Sequence, residues 1–229
     1  MRLTLVTSFI AVAILCANTV NAQGISGWSA AIQADGPGYT NTNISAPTQV
    51  DIGTYDISTN GGVTYEFIYN ADVGGASSAF MGSLNAPAGA SAGLKLDQWN
   101  NTGKFGATAF GVADFTFGTD YVLNSDTQIA YVMDGSSTSF YVNGALAETQ
   151  PGVSFALSGL TGLGHAYNHS NGGSVDALNG TILGVAVYDS ALSADAVAGH
   201  YNAFVPEPST SVLLGFGLLG LLGARRQRS

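Results

Sequence analysis

Short segments that alternate apolar and polar residues fill the sequence between residues 23 and 204, and glycine or another turn residue closes each one. Segment 63–69 is rich in β-branched and aromatic residues and precedes an Asn-Ala-Asp turn, which predicts a strand. Segments 92–97, 128–134, 139–143 and 181–188 follow the same pattern. Strands at this spacing predict an antiparallel sandwich or barrel. Because 31 of the 229 residues are glycine and only 9% are charged, a coiled coil or helical bundle is disfavoured.

Two local signals complete this prediction. Asn143-Gly144 supplies the two positive φ angles of a type I′ turn, so it predicts a hairpin between the flanking strands. The final element is a short helix over residues 194–204, with Ser193 as its N-cap and Val197 on its apolar face. Near the other end, Trp28 is predicted to lie in the first strand, within the core.

The distribution of charge excludes one class of ligand. Four of the six basic residues lie at the extreme ends, so residues 23–204 keep two lysines against all but one of the 15 acidic residues. The net charge of this region is therefore about −12. A protein that binds nucleic acid needs lysine and arginine to neutralise phosphates, so nucleic-acid binding is excluded.

The first 22 residues have the order of a secretory signal peptide. A basic residue at position 2 precedes an apolar run, and Val20-Asn21-Ala22 places small residues three and one before the expected cut. Cleavage there removes Cys16, the sole cysteine of the chain. The mature protein is therefore expected to have no disulfide and no thiol chemistry.

Residues 205–229 combine a proline-flanked glutamate, a short apolar stretch and a terminal arginine cluster. The apolar stretch covers residues 211–224, about 21 Å of helix, which is short for a permanent membrane span. This order resembles the PEP-CTERM sorting signal of Gram-negative bacteria. The resemblance implies transient insertion in the inner membrane, cleavage by an exosortase, and release to the cell surface or exopolysaccharide matrix. Its sorting motif is Pro206, Glu207 and Pro208, and its cytoplasmic basic stop is Arg225, Arg226 and Arg228.

The middle of the chain carries a second resemblance. Segment 140–146 is similar to the strand–turn–strand signature of laminin-G-like (concanavalin A-like) jelly-roll domains, and segment 178–193 is similar to their last strand, which runs into a terminal helix. The resemblance implies an all-β fold over residues 23–204, with two antiparallel sheets packed face to face and one short C-terminal helix. A hydrophobic sorting helix follows in the tail.

Catalytic motifs are weak. Glycosidases need two carboxyl groups around the scissile bond, but Glu66 and Glu148 have no acidic partner at the required spacing, and Glu66 is expected at an exposed strand position. His165 and His169 have the spacing of a zinc pair but lie in a segment expected to be a solvated loop. His200 lies on the terminal helix and is expected to be a partly buried packing residue. We therefore expect a protein that is not an enzyme.

Binding residues are easier to nominate. The family resemblance implies a bound Ca²⁺ at the rim of some members, and the acidic charge favours a divalent cation. Candidate ligands in oxygen-rich loops are Asp97, Asn100 and Asp176. Two aromatic residues in polar loops, Trp99 and Tyr167, are candidates for stacking on sugar rings.

The sequence favours an exported, non-enzymatic module that binds or structures extracellular polysaccharide. Two alternatives remain open, which are a calcium-assisted lectin with a defined glycan pocket and a glycosidase whose acids are dispersed in the sequence. Saturable, chelator-sensitive glycan binding distinguishes the lectin, and release of reducing sugar distinguishes the glycosidase.

Overall fold

A computed structural model describes residues 24–45 and 47–205 of the chain. The expected signal peptide and the sorting segment after residue 205 lie outside these residues. Residues 24–32 are helical (α1) and continue into a 3₁₀ turn, Gln33–Asp35. The other helices are α2, Ile57–Asn60, and α3, Ala194–Phe204. The strands are β1 Tyr39–Asn41, β2 Thr48–Asp51, β3 Val63–Ala71, β4 Ala79–Leu84, β5 Ala92–Lys95, β6 Lys104–Ala109, β7 Ala113–Asp120, β8 Thr127–Met133, β9 Ser137–Val142, β10 Ala145–Pro151, β11 Leu160–Leu163, β12 Ala166–Asn168, β13 Gly173–Val175 and β14 Gly180–Tyr188.

The strands form two sheets, which confirms the predicted sandwich. The first sheet has the order β1-β14-β3-β8-β9-β10, and the second has β13-β12-β4-β5-β6-β7, with β11 joining β4 to β2. Pairing between named strands is antiparallel except for the parallel pair β12–β4. In the described part of the chain, no helix is long and apolar enough to cross a membrane.

The core lies between the two sheets because alternate residues of each strand point inward. In β3 the inward residues include Tyr65 and Phe67, which are fully buried, and in β8 they include Tyr131. An aromatic cluster links the sheets, with the rings of Phe105 and Phe140 4.9 Å apart and those of Tyr131 and Phe140 4.8 Å apart. Offset and tilted aromatic contacts of this kind add to the gain from burying apolar area.

The predicted hairpin turn is confirmed. Asn143 and Gly144 have φ angles of 51° and 76°, as a type I′ turn requires, and they connect β9 to β10. The predicted helix α3 is also confirmed, since the Ser193 side chain accepts a hydrogen bond from the backbone N–H of Ala196. Val197 is fully buried against the first sheet.

The first helix, α1, was not predicted, and the expectation that Trp28 lies in a strand is wrong. The apolar residues of α1, which are Ile25, Trp28 and Ile32, are three and four positions apart, which is a helical spacing. Trp28 is fully buried, as expected of a core residue, but it packs on the outer face of the first sheet. Its ring fits there because Gly184 has no side chain, and a Cβ at that position would lie 2.6 Å from the ring.

Candidate functional site

A pocket of about 450 Å³ opens on the face of the second sheet that is turned away from the core. Strand alternation produces this face, because Leu94 of β5 and Ala107 of β6 point into the core and their neighbours Lys95 and Thr108 point outward. The residues that line the pocket are Ser77, Lys95, Trp99, Thr108, Ala109, Phe110, Gly111, Val112, Ala113, Asp114 and Asp176.

Two large apolar side chains stand exposed at the pocket. Trp99 is 68% exposed and Val112, at the turn between β6 and β7, is 84% exposed. Exposed apolar residues next to a concave polar surface are typical of binding sites. Trp99, one of the two residues predicted to stack on sugar rings, lines this pocket. Tyr167 does not line it but lies in β12, where its ring contacts that of His169 at 4.7 Å.

A buried ion pair forms the floor of the pocket. The Lys95 side chain is only 2% exposed, and its ammonium group pairs with the Asp176 carboxylate. The same ammonium group lies 5.3 Å from the centre of the Phe110 ring. Burial lowers the pKa of Lys95, and the bond to Asp176 opposes this effect. Because the pair neutralises itself, the positive charge of Lys95 is not free for an anionic ligand.

A hydrogen-bond network supports the wall that β6 and β7 form. Thr108 Oγ1 donates to Asp114 Oδ1 at 2.6 Å and lies 2.9 Å from Gln98 Oε1. The Gln98 amide in turn donates to the backbone carbonyls of Ala107 and Phe115, each at 3.1 Å. Gln98 precedes Trp99 in the chain, so this network holds the base of the Trp99 loop against the sheet.

Two of the three predicted calcium ligands, Asp97 and Asp176, are engaged by other groups of the protein. The oxygens of Asp97 accept hydrogen bonds from the backbone of Gln98, from both N–H and Oγ1 of Thr102, from Gly103 and from the Tyr121 hydroxyl. Asp176 is paired with Lys95, and Asn100 is exposed in the same loop as Asp97. Among the described residues, no three acidic, histidine or cysteine side chains group as a metal site would require.

A second pocket, of about 740 Å³, lies between α2 and the β8–β9 turn. Both of its carboxylates accept hydrogen bonds within local turns. Asp56 accepts hydrogen bonds from Ser58 and Thr59. Backbone and side-chain hydrogen bonds from Ser136 and Ser137 lower the pKa of Asp134 to about 2. Its Tyr55 ring is buried. The pocket beside Trp99 is therefore the better candidate for a binding site.

The expectation that Glu66 is exposed is wrong, because Glu66 is fully buried on the outer face of β3 beneath α1 and α3. Its carboxylate accepts hydrogen bonds from Trp28 Nε1 at 2.6 Å and Gln128 Nε2 at 3.0 Å, and it lies 2.8 Å from His200 Nδ1. The other nitrogen of His200 lies 2.9 Å from Asp35 Oδ2. His200 is thus buried, as expected, but it bridges two acids in addition to packing.

The other predicted histidines are not a solvated pair. His165 is 1% exposed, and burial lowers its pKa. His169 is half-buried and lies 2.8 Å from Ser83 Oγ. Ser83 is fully buried, so this contact does not present a serine to a substrate. Glu148, which the sequence analysis considered together with Glu66 as a glycosidase acid, accepts a hydrogen bond from the backbone N–H of Gly118.

Sequence reasoning missed Lys95, Phe110, Val112 and Asp114 as pocket residues. Phe110 and Val112 flank a glycine in the turn between β6 and β7, and this turn lies near Lys95 only because β5 pairs with β6. Predicting the pairing of β5 with β6 would have grouped these residues.

Solved structures of similar fold include carbohydrate-associated domains. The CBM40 domain of the Ruminococcus gnavus IT-sialidase, bound to α2,3-sialyllactose, matches with a TM-score of 0.52 and 17% identity, over 71% of this chain and 98% of that one. Domain 4 of an extracellular GH43 arabinanase from Geobacillus stearothermophilus, in complex with arabinotriose, matches with a TM-score of 0.48 and 13% identity. That match covers 62% of this chain and 66% of the arabinanase domain's own length.

A SAP-like pentraxin from Limulus polyphemus matches with a TM-score of 0.46 and 15% identity, over 61% of this chain and 69% of that one. No curated protein sequence is significantly similar to the chain.

Two family matches divide the chain. Residues 204–228 match the PEP-CTERM protein-sorting motif, as expected from the tail, and this motif indicates an extracellular protein that an exosortase sorts. Residues 38–198 match a laminin-G-like family (Laminin_G_3) of the concanavalin A-like lectin/glucanases superfamily. Because this match covers more than half of the chain and the two-sheet sandwich agrees with it, the protein belongs to the concanavalin A-like lectin/glucanases superfamily.

Proposed function

We propose that the protein is a non-enzymatic carbohydrate-binding module that binds glycan in the pocket beside Trp99. The observation that carries the proposal is the 68% exposed indole of Trp99, next to a floor of paired charges and a wall with the Thr108 hydroxyl and the Asp114 carboxylate. The apolar face of a sugar ring stacks on an aromatic side chain, and its hydroxyl groups bond to such polar groups.

The fold supports this function by analogy. The Ruminococcus gnavus domain shares the sandwich and is described as bound to a sialylated sugar. At 17% identity this likeness concerns the fold, so the analogy supports the class of ligand and not its identity.

The charge of the pocket favours neutral or amine-bearing glycans over acidic ones. Lys95 is neutralised by Asp176, and Asp114 adds a second carboxylate to the pocket. The other lysine of the described residues, Lys104, is paired with Asp120 at 2.7 Å. An acidic polysaccharide would therefore meet a surface of its own sign without a free cation to offset the repulsion.

The sorting motif supports an extracellular site for the proposed binding. We infer that an exosortase of a Gram-negative bacterium releases the domain into an extracellular polysaccharide matrix. A module that binds neutral glycans there would attach to the matrix without chemistry of its own.

A glycan array tests the proposal directly. Exported protein should bind neutral or amine-bearing glycans saturably, with or without a chelator, and should release no reducing sugar from them. Loss of binding with a chelator would favour the calcium-assisted lectin, and release of reducing sugar would favour the glycosidase. Binding to no glycan class would refute the proposal.

A further inference from the structure

The two ends of the described chain meet on the outer face of the first sheet. α1 lies against the last turn of α3 so closely that a Cβ on Gly27 would lie 2.3 Å from the Ala203 carbonyl oxygen. A Cβ on Gly24 would lie 3.0 Å from the Phe204 carbonyl oxygen. We call α1, the 3₁₀ turn and α3 together the cap.

A buried polar cluster fixes the cap to the sheet. Glu66 of β3 bonds to Trp28 of α1 and to His200 of α3, and His200 also bonds to Asp35 of the 3₁₀ turn. The Glu66 side chain is fully buried and that of His200 is 3% exposed. The Tyr188 ring stacks on His200 at 6.0 Å. Undocking either helix would leave a buried carboxylate with fewer partners, which is costly, so the two helices dock together.

The cap and the candidate pocket lie on opposite sides of the sandwich. Glu66 and Ile68 point outward from the first sheet into the cap, whereas Lys95 and Thr108 point outward from the second sheet into the pocket. Two packed sheets and one helical layer separate these faces by about 30 Å, since each of the three layers adds about 10 Å.

The chain leaves the cap through a short connection. α3 ends at Phe204, and the apolar stretch of the tail begins at Ser211. The six residues 205–210 between them span at most about 22 Å when fully extended. That length is less than the distance between the two faces, so the connection cannot pass around the sandwich and turn the pocket towards a membrane that holds the tail.

We propose that the cap is the membrane-proximal face of the protein while its tail is inserted, so that the Trp99 pocket faces away from the lipid surface and towards the matrix. The inference rests on the sorting motif and on the proposed site of binding, but not on which glycan binds. The docked α3 is essential to it, because an undocked α3 would lengthen the connection by 11 residues, about 36 Å of extended chain.

The cysteine content of the chain offers a clean test, since Cys16 is the sole cysteine and lies in the expected signal peptide. In full-length protein we would place single cysteines at Asn202→Cys, on the exposed side of α3, and at Val112→Cys, on the pocket face. Replacing Pro206, Glu207 and Pro208 by alanine would keep the anchored form. A bulky polyethylene-glycol maleimide would then be added to the exposed side of the membrane.

We expect the anchored form to label several-fold more slowly at position 202 than at position 112, and the released form to label at equal rates at both. Equal rates in the anchored form would overturn the proposal. Failure of glycan binding would leave this labelling difference intact, so the two proposals fail separately.

A pair of glycine variants tests the role of cap docking. Gly27→Ala, combined with Asn202→Cys, should separate α1 from α3 and abolish the slow labelling at position 202. Gly24→Ala, with its milder 3.0 Å approach, should have a smaller effect. Gly199→Ala is the matched control, because a Cβ there meets nothing within 4 Å. If Gly27→Ala keeps the slow labelling, or if Gly199→Ala loses it equally, docking does not set the orientation.

Discussion

At the scale of single residues, Asp97 organises the loop that carries Trp99. Its two oxygens accept five hydrogen bonds, and those from Thr102 and Gly103 close the loop. Burial alone would raise the pKa of Asp97, but the bonds from Thr102 and Gly103 outweigh it and lower the pKa. A loop fixed in this way presents Trp99 with little entropy left to lose on binding.

Replacing Asp97 by alanine should therefore affect both stability and binding. We expect the free energy of unfolding to fall by about 2–4 kcal/mol, because several partly buried donors lose their acceptor. Glycan affinity should fall with it as the Trp99 loop loosens. Urea titration of the purified protein measures the first effect. The control is Asp120→Ala, because the exposed ion pair between Asp120 and Lys104 should contribute less than about 1 kcal/mol. Equal losses of unfolding free energy in the two variants would contradict this role for Asp97.

The contacts of His200 predict the sign of a pH dependence of stability. Burial alone would lower the pKa of His200, but the carboxylates of Glu66 and Asp35 outweigh it and raise the pKa. A histidine whose pKa is raised on folding contributes stability below its unfolded pKa of about 6.5. That contribution is lost as the pH rises through the folded-state pKa.

Wild-type protein should thus lose stability as the pH rises above about 6.5, and His200→Gln should lose much less over the same interval. The other groups that face His200 are Glu66, Asp35 and Tyr188. Because the pKa of Lys95 is also shifted, downward by burial, the difference between the two unfolding curves isolates the histidine. Parallel curves would show that His200 does not carry a proton in this cluster.

At the scale of secondary-structure elements, the β9–β10 turn also supports α3. Gly144 has a φ of 76°, and a Cβ there would lie 2.9 Å from the Cβ of Tyr201. Gly152 has nearly the same φ, 75°, but a Cβ there would meet nothing within 4 Å. The two glycines therefore separate backbone strain from helix packing.

Gly152→Ala should cost about 1 kcal/mol of stability, from backbone strain alone. Gly144→Ala should lose the same stability from backbone strain and about 1–3 kcal/mol more from overpacking against α3. Thermal unfolding of the two variants measures the difference. Equal melting temperatures would mean that α3 yields to the added methyl group and does not pack tightly on this turn.

The elements that the sequence predicted are those with strong local signals. Alternating β-branched and aromatic residues located β3 and β8, Asn143-Gly144 located a turn, and Ser193 located the start of α3. α1 was missed because Gly24 and Gly27, poor helix formers, are required by its contact with α3 and not by its own stability. The burial of Glu66 and the grouping of pocket residues depend on contacts between distant segments, which local patterns do not contain.

At the scale of the whole molecule, the sandwich separates the two features on which the proposals rest. The cap on one outer face joins both ends of the domain, and the pocket on the opposite face displays Trp99 beside a neutralised lysine. The net negative charge of residues 23–204 disfavours acidic polymers as ligands. This arrangement suits a protein that is held by its tail during export and binds uncharged glycan on its free side.

The measurement that tests this account most directly is a calorimetric titration of the exported protein and its Trp99→Ala variant with a neutral glycan from the array. Loss of the stacking face should weaken binding about tenfold, because an aromatic contact contributes roughly 1 kcal/mol or more. The control, Leu146→Ala, removes a side chain of β10 that is 55% exposed and lies outside the pocket, and it should bind as wild type does. If Trp99→Ala binds the glycan with unchanged affinity, the pocket beside Trp99 is not the carbohydrate site.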